Sequence, residues 1–205
     1  MMKNLFQILC GLFLVVSYSS CMHSEEDKVD VLIIGGGASG VTSGIQSARM
    51  GANTLILEES TWLGGMLTSA GVSAVDGNYR LPAGLWGEFK NRLSDYYGGL
   101  DSLKTGWVSN VLFEPSVGNK ILHEMVAAEN NLKVWKQACL EEVKRTGDEW
   151  VAKVKVEGLG VKTVRAKVMI DATELGDVAK MCGVKYDIGM ESRDDTHEDI
   201  APEKK

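Results

Sequence analysis

The chain has 205 residues, which is enough for one domain of medium size with its own buried core. Its composition is that of an ordinary globular protein, with 44% hydrophobic and 24% charged residues. A formal net charge of −6 argues against the basic surface that nucleic-acid-binding proteins present, so we expect no nucleic-acid partner.

The first twenty residues, 1–20, have the pattern of a secretory signal peptide. A short positive start precedes an apolar run, Leu5–Val16, that is too short for a membrane span, and small residues follow. Cys21 comes next and opens a polar tether, 21–28. This arrangement resembles a bacterial lipoprotein signal, although Tyr18 stands where that pattern usually has Leu. The resemblance implies lipidation of Cys21 and anchoring to the membrane of the cell envelope. A soluble secreted or periplasmic protein with a chance Cys remains the alternative.

A strand, a helix and a second strand are predicted after the tether. Val29–Ile34 is an almost continuous apolar run, as expected for a strand buried on both faces of a parallel sheet. Ala38–Met50 has helical potential and is ended by Gly51, and Asn53–Glu58 forms the next strand. Three elements within about thirty residues predict one βαβ unit.

A glycine-rich motif, Gly35-Gly36-Gly37-Ala38-Ser39-Gly40, joins the first strand to the helix. Gly35, Gly37 and Gly40 fill the pattern G-x-G-x-x-G of dinucleotide-binding proteins, in which the glycines allow a tight turn, a close approach of the pyrophosphate and close helix packing. The helix N-terminus, with Ala38 and Ser39, offers unpaired N–H groups to phosphates. Glu58 ends the next strand, where a carboxylate can bond ribose hydroxyls. This acid disfavours NADP but leaves NAD and FAD open.

The remaining elements complete an α/β prediction. Helices are predicted at Leu85–Tyr97, from Pro115 to about Asn130, and at Leu175–Cys182, with a loop over 98–110. A short strand at Leu132–Trp135 precedes three strands that alternate like an antiparallel meander: Cys139–Arg145, Glu149–Val156 and Val161–Ile170. We therefore expect a Rossmann-like domain over 29–190, with a parallel central sheet plus a small antiparallel meander. A flexible tail is expected over 191–205.

Several segments together resemble the N-terminal portion of FAD-dependent oxidoreductases of the glutathione-reductase-like superfamily. They are Val31–Gly40, Leu55–Glu59, Leu63–Thr68, Phe113–Pro115 and Ile170–Asp177. The resemblance implies FAD as the cofactor and hydride transfer between a small organic substrate and the flavin. Two alternatives stay open, a flavin-binding remnant or subunit without catalysis and an NAD-dependent dehydrogenase.

The same resemblance implies further cofactor contacts. Gly64, Gly65 and Met66 would lie against the pyrophosphate and the ribityl chain. Ala138 would present backbone atoms to the adenine, as Cys139 also could. Ala172 and Thr173 match the end of a late strand near the FAD, although Glu174 replaces the usual Gly, and Asp177 would supply a carboxylate or, alternatively, serve as an acid in the first turn of a helix. The full set of predicted cofactor-binding residues is Gly35, Gly37, Ala38, Ser39, Gly40, Glu58, Glu59, Gly64, Gly65, Met66, Ala138, Ala172, Thr173 and Asp177.

Members of this family are usually longer. We therefore expect this chain to lack the substrate domain and the C-terminal closing segment, which would be supplied by the remainder of the flavoenzyme. Whether the chain is an active enzyme alone is left open.

The sequence offers no catalytic acid, base or nucleophile. His23 and His197 lie in the tether and the tail, and His123 is expected to have a structural role. Cys139 and Cys182 lack a partner motif and are expected to be buried free thiols, so no metal site is predicted. The flavin itself would carry the hydride chemistry.

Overall fold

The computed structural model describes residues 26–77, 79–107 and 109–203. The predictions of a signal peptide over 1–20, of lipidation at Cys21 and of most of the tether fall outside these residues. The first strand begins at Asp27, two residues earlier than predicted, because Asp27 and Lys28 already pair with the last strand of the domain.

Six strands and five helices make up the described part of the chain. The strands are β1 (Asp27–Ile34), β2 (Thr54–Glu58), β3 (Leu132–Lys136), β4 (Ala138–Thr146), β5 (Glu149–Val156) and β6 (Gly160–Asp171). The helices are α1 (Ala38–Arg49), α2 (Gly84–Tyr97), α3 (Pro115–Ala127), α4 (Asp177–Met181) and α5 (Arg193–Thr196). Two short 3₁₀ turns lie at Gly65–Leu67 and Leu100–Leu103.

The strands form one sheet in the order β3-β2-β1-β6-β5-β4. β3, β2, β1 and β6 run parallel, whereas β6, β5 and β4 form an antiparallel meander. β6 belongs to both parts, since Gly160–Ala166 pairs with β5 and Val164–Asp171 pairs with β1. This arrangement confirms the predicted α/β class.

Two apolar cores lie on the two faces of the parallel strands. One joins α1, α2 and α3 to the sheet through side chains such as Ile33, Ile45 and Met125, all fully or almost fully buried. The other joins the parallel strands to the antiparallel strands of the meander through side chains such as Leu32, Leu55 and Val154. Burial on both faces explains why β1 and β2 read as continuous apolar runs.

The later helices are shorter than the sequence pattern suggests. α3 ends at Ala127, before the predicted Asn130, and α4 covers only Asp177–Met181 with Val178 as its single buried residue. The predicted tail contains α5, and Arg193 donates its backbone N–H to the carbonyl of Pro202. Among the described residues, no helix combines the length and apolar character that a membrane crossing requires.

The expectation of buried thiols is wrong. Cys139 and Cys182 are both free and both exposed. Cys139 follows the inward-facing Ala138 on β4, and alternation along the strand turns its side chain outward. Cys182 caps α4, a helix too short to bury a full face.

Candidate dinucleotide-binding site

A cavity of about 580 Å³ opens at the carboxyl ends of β1, β2 and β6. Ligands of open α/β sheets bind at this edge, and the volume lies in the usual range for a small-molecule site. The lining comes from the turn after β1, the end of β2, the Gly64–Gly65 segment, the start of β4 and the loop after β6.

The lack of a side chain has a different geometric consequence at each glycine of the G-x-G-x-x-G motif. Gly35 has a φ of +100°, and a Cβ there would lie 2.4 Å from the carbonyl oxygen of Ala172. At Gly40 a Cβ would collide with the carbonyl of Gly35, so α1 packs there as closely as a backbone allows. Gly37 differs, because its φ of −64° suits any residue and a Cβ would meet nothing within 4 Å. A side chain at Gly37 would therefore point into the cavity and would leave the fold intact.

The N-terminus of α1 faces the same space. Gly37 is the N-cap and provides no side-chain cap, while Ala38 and Ser39 line the cavity. Val41 donates to the carbonyl of Gly37 as the first bond of the helix. The N–H groups of the first turn and the positive end of the helix dipole thus make a seat for an anion.

Glu58 is held by two backbone amides. Gly36 donates its N–H to Oε2 at 2.7 Å, and Ser60 donates to Oε1 at 2.8 Å. Both oxygens keep further lone pairs, and Glu58 still lines the cavity. The carboxylate is therefore oriented in advance and can accept bonds from hydroxyl groups of a ligand.

Glu59 is paired with a thiol across the cavity edge. Cys139 Sγ donates to Oε1 of Glu59 at 3.4 Å. Although Cys139 is exposed, partial desolvation by the surrounding protein, followed by the neighbouring Glu59 carboxylate, raises the pKa of its thiol above the ordinary value. The thiolate form is thereby disfavoured, so Cys139 lacks the activation of a nucleophile.

Gly64 and Gly65 form a wall opposite Gly37. Gly64 donates its N–H to the carbonyl of Gly36 at 2.8 Å, and Gly37 and Gly64 form an isolated parallel bridge. Both wall glycines have positive φ, and a Cβ on Gly65 would lie 3.2 Å from Cα of Gly37. The wall consequently approaches the motif at backbone distance, and Met66 continues it along the cavity.

The loop after β6 closes the other side. Ala172 extends the pairing with β1 by donating to the carbonyl of Ile34 at 2.8 Å. Asp171 then accepts the N–H and the hydroxyl of Thr173 on Oδ1 and the N–H of Ala179 on Oδ2. Although burial raises the pKa of Asp171, these hydrogen bonds outweigh it and leave the pKa below its ordinary value. Asp171 therefore fixes the loop that carries Thr173 and Asp177.

Thirteen of the fourteen residues predicted from the sequence line this cavity, and Gly40 alone stands behind it, packed on the turn. Six further residues line it and were not among the predicted contacts: Ile34, Leu57, Ser69, Leu140, Glu174 and Leu175. Sequence reasoning also missed Asp171, although its position directly before Ala172-Thr173 was a signal. His123 lies on α3 outside the lining, and burial together with Lys136 lowers its pKa.

The lining is acidic. Glu58, Glu59, Glu174 and Asp177 contribute to it, and no Lys, Arg or His does so among the described residues. No group of acidic, His and Cys side chains in the part of the chain that the structure covers has the arrangement of a metal site. Within the described lining, attraction for a phosphate would have to come from backbone amides and the helix dipole.

Comparison with known protein families assigns the chain to one of them. A model of the family described as FAD dependent oxidoreductase matches residues 30–203. No curated protein matches.

Solved structures share the fold at low sequence identity. A flavoprotein/dehydrogenase from Cytophaga hutchinsonii is 19% identical with a TM-score of 0.59, covering 80% of this chain and 44% of that one. The p-nitrophenol 4-monooxygenase PnpA from Pseudomonas putida DLL-E4 is 14% identical with a TM-score of 0.52, covering 80% and 46%. CabE, an aromatic hydroxylase from angucycline biosynthesis, is 16% identical with a TM-score of 0.55, covering 80% and 35%. The chain therefore spans less than half of each of these proteins.

Proposed function

Because the chain belongs to the FAD dependent oxidoreductase family, we propose that its cavity holds FAD in an extended conformation. The observation that carries the proposal is the hollow at Gly37, where a backbone of ordinary φ leaves open the space that a Cβ would fill. The unpaired amides of α1 and the oriented Glu58 carboxylate suit the pyrophosphate and the ribose of a dinucleotide.

The predicted residues would contact different parts of the cofactor. Gly35, Gly37, Ala38 and Ser39 would surround the pyrophosphate, with Gly40 allowing α1 to approach. Glu58 and Glu59 would accept the adenosine ribose hydroxyls, and Ala138 would border the adenine. Gly64, Gly65 and Met66 would follow the pyrophosphate and the ribityl chain, opposite Ala172, Thr173 and Asp177.

Two of these roles are limited by bonds already present. Thr173 has only one hydroxyl proton and donates it to Asp171, so toward the cofactor it could offer an accepting lone pair or its methyl group. Asp177 receives no side-chain bond from the described loop, and its backbone N–H donates to Thr173. The carboxylate of Asp177 is thus the freer of the two polar groups.

We propose that the reaction is hydride transfer between a small organic substrate and the flavin. When bound, the flavin would supply the hydride acceptor. The described residues bind and orient the cofactor, and none of them is assigned as a catalytic acid or base.

We also propose a neighbouring polypeptide region and a cellular location for this domain. Since the chain spans under half of the solved structures it resembles, we expect a further polypeptide region of the flavoenzyme to form the substrate side of the site. Exposed apolar residues follow the cavity toward the C-terminus and would suit such a neighbour: Leu175, Met181, Val184, Tyr186, Ile188 and Met190. Cys21, lipidated, would anchor the protein in the bacterial cell envelope.

The visible spectrum of the purified chain tests the cofactor. We expect flavin absorption bands, or their appearance when FAD is added, and release of FAD on denaturation. Bound NAD in place of FAD would favour a dehydrogenase. A yellow protein that no donor reduces would favour a flavin-binding remnant, and a colourless chain that takes up no FAD would contradict the proposal.

The variant Gly37→Val tests the proposed pyrophosphate site at the N-terminus of α1. The new side chain would occupy the pyrophosphate's place, and we expect the FAD dissociation constant to rise at least about 100-fold, equivalent to about 2.7 kcal/mol. The melting temperature should fall only slightly, because φ at Gly37 suits Val and the cost is limited to a poorer N-cap of α1.

Gly147→Val is the matched control for this experiment. Gly147 lies in the β4–β5 turn with a φ of +62°, so Val there strains the backbone by about 1–3 kcal/mol. Gly147 is remote from the cavity lining, and we expect lower stability with unchanged FAD affinity. Equal loss of affinity in both variants would sink the assignment of Gly37.

A further inference from the structure

We infer that Asn119, a residue of α3 outside the cavity, is a positioning residue that sets the Gly64–Gly65 wall and thereby the affinity for FAD. This inference rests on the proposed cofactor. Its starting observation is that Asn119 Oδ1 accepts the backbone N–H of Leu63 at 2.9 Å, across 56 positions of sequence.

Leu63 directly precedes the wall and is clamped at both of its backbone groups. Its N–H goes to Asn119, and its carbonyl accepts the Thr68 hydroxyl at 2.5 Å. Leu63 is fully buried and Thr68 is almost fully buried, so the Leu63 carbonyl has no access to water. Asn119 is half-buried, so water could approach the Leu63 N–H only from the side that Asn119 now covers. The direction of the chain entering Gly64 is fixed by these two bonds.

The next residue has little freedom left. Gly64 donates to the carbonyl of Gly36, and a Cβ on Gly64 would lie 2.6 Å from Leu122 Cδ1 and 2.9 Å from Thr68 Oγ1. Leu122 belongs to α3, as Asn119 does. α3 therefore packs closely against the wall through Leu122 and is hydrogen-bonded to its entry through Asn119.

A displaced wall would change the cavity directly. Gly65 stands so close to Gly37 that a Cβ on it would lie 3.2 Å from the Gly37 Cα. Without Asn119, the buried N–H of Leu63 would lack a partner, and the segment would shift to find one. The wall and the motif would then no longer hold their spacing, although no group lining the cavity had been removed.

The test compares Asn119→Ala with Asn119→Asp and Asn131→Ala. Asn119→Ala removes the acceptor, and we expect the FAD dissociation constant to rise about tenfold, which corresponds to about 1.4 kcal/mol. Asn119→Asp keeps an oxygen toward Leu63 and should restore affinity to within about threefold of wild type.

Asn131→Ala is the matched control because it removes a hydrogen-bonded Asn at the amino ends of the parallel strands, away from the cavity. Asn131 Nδ2 donates to the carbonyls of Ala48 and Ala52, where it secures the turn between α1 and β2. We expect lower thermal stability and an unchanged dissociation constant for FAD. Loss of affinity in Asn131→Ala equal to that in Asn119→Ala would reduce Asn119 to a general stabilising residue and overturn the inference.

Amide hydrogen exchange separates this inference from the proposed function. In the cofactor-free chain, Asn119→Ala should speed exchange over residues 63–68 and leave α1 unchanged. If the wild-type chain takes up no FAD, the proposed function fails, and faster exchange confined to 63–68 still supports the positioning role. Unaltered exchange over 63–68, or wild-type FAD affinity in Asn119→Ala, would overturn it.

Discussion

At the scale of single residues, the site depends on carboxylates whose oxygens are occupied by backbone amides. Glu58 spans Gly36 and Ser60, and Asp171 spans Thr173 and Ala179. In both cases an acid fixes a loop at the carboxyl end of a strand. At Asp171 such bonds favour the ionised carboxylate, so the loop after β6 depends on pH.

Asp171→Asn should show this dependence. An Asn in that position would place an N–H₂ group against at least one donor, and we expect a loss of about 1–3 kcal/mol in unfolding free energy at pH 7. Because the pKa of Asp171 is lowered in the folded state, its stabilisation is present above the ordinary Asp pKa and is lost as the pH falls through the folded value. The difference between wild type and variant should therefore shrink toward acid pH in urea unfolding followed from pH 8 to pH 3.

Asp95→Asn serves as the control for that series, because Asp95 is exposed on α2. We expect it to lose no stability, because Asp95 lies in the last turn of α2, where its negative charge opposes the helix dipole. A gap between wild type and Asp171→Asn that stayed constant down to pH 3 would show that the charge of Asp171 is not what holds the loop.

These residues also mark the limit of sequence reasoning. The three motif glycines could be predicted because they follow a buried strand at the spacing G-x-G-x-x-G, although the clash that requires a glycine at Gly35 comes from Ala172, far along the chain. Asn119 could not, since its partner Leu63 lies 56 positions away and becomes adjacent only when α3 packs on the sheet. The exposure of Cys139 was missed for a related reason, as the strand's facing depends on the register with β5.

At the scale of elements, the strands were predicted within about two residues, because burial on both faces or on one face leaves a clear pattern. The hydrophobic pattern along each strand does not predict the order of the strands in the sheet. In particular, β6 pairs with β5 and with β1, and this places the Ala172–Thr173 segment beside Gly35. Weakly amphipathic ends, such as those of α3 and α4, were the least predictable.

Three helices are tied together by Arg49 at the end of α1. Its guanidinium contacts Glu88 of α2 at 2.9 Å and Glu129 beyond α3 at 2.7 Å. Both carboxylates raise the pKa of Arg49, Glu129 first, so the cation is favoured in the folded state.

Arg49→Met should destabilise the fold by about 1 kcal/mol, since the group is partly exposed but bonds two helices at once. The loss should shrink when salt is added, and the FAD affinity should not change. Lys153→Met removes a single exposed pair with Glu142, which solvent screens, and should cost clearly less than Arg49→Met. Urea unfolding at low and high salt measures both, and equal costs would contradict a special role for the three-helix contact.

At the scale of the whole molecule, charge works against the proposed ligand. The chain carries a formal charge of −6, and the described cavity lining includes Glu58, Glu59, Glu174 and Asp177 without a basic side chain. FAD brings a pyrophosphate with two negative charges. Binding would therefore rely on short-range backbone bonds, while the long-range field opposes the approach.

Salt screens the long-range part most strongly, since charges separated by more than about 10 Å hardly interact at 0.1 M ionic strength. We therefore expect the FAD affinity to rise about two- to fivefold between low salt and about 0.5 M NaCl, as the repulsion of roughly 0.5–1 kcal/mol is removed. Glu174→Gln should bind FAD more tightly than wild type at low salt and should gain less from added NaCl, because one of the repelling carboxylates is gone. Titrations followed by flavin fluorescence at several salt concentrations measure both slopes. A steep loss of affinity with salt would mean that basic groups attract the phosphates, and the seat at the N-terminus of α1 would then need another explanation.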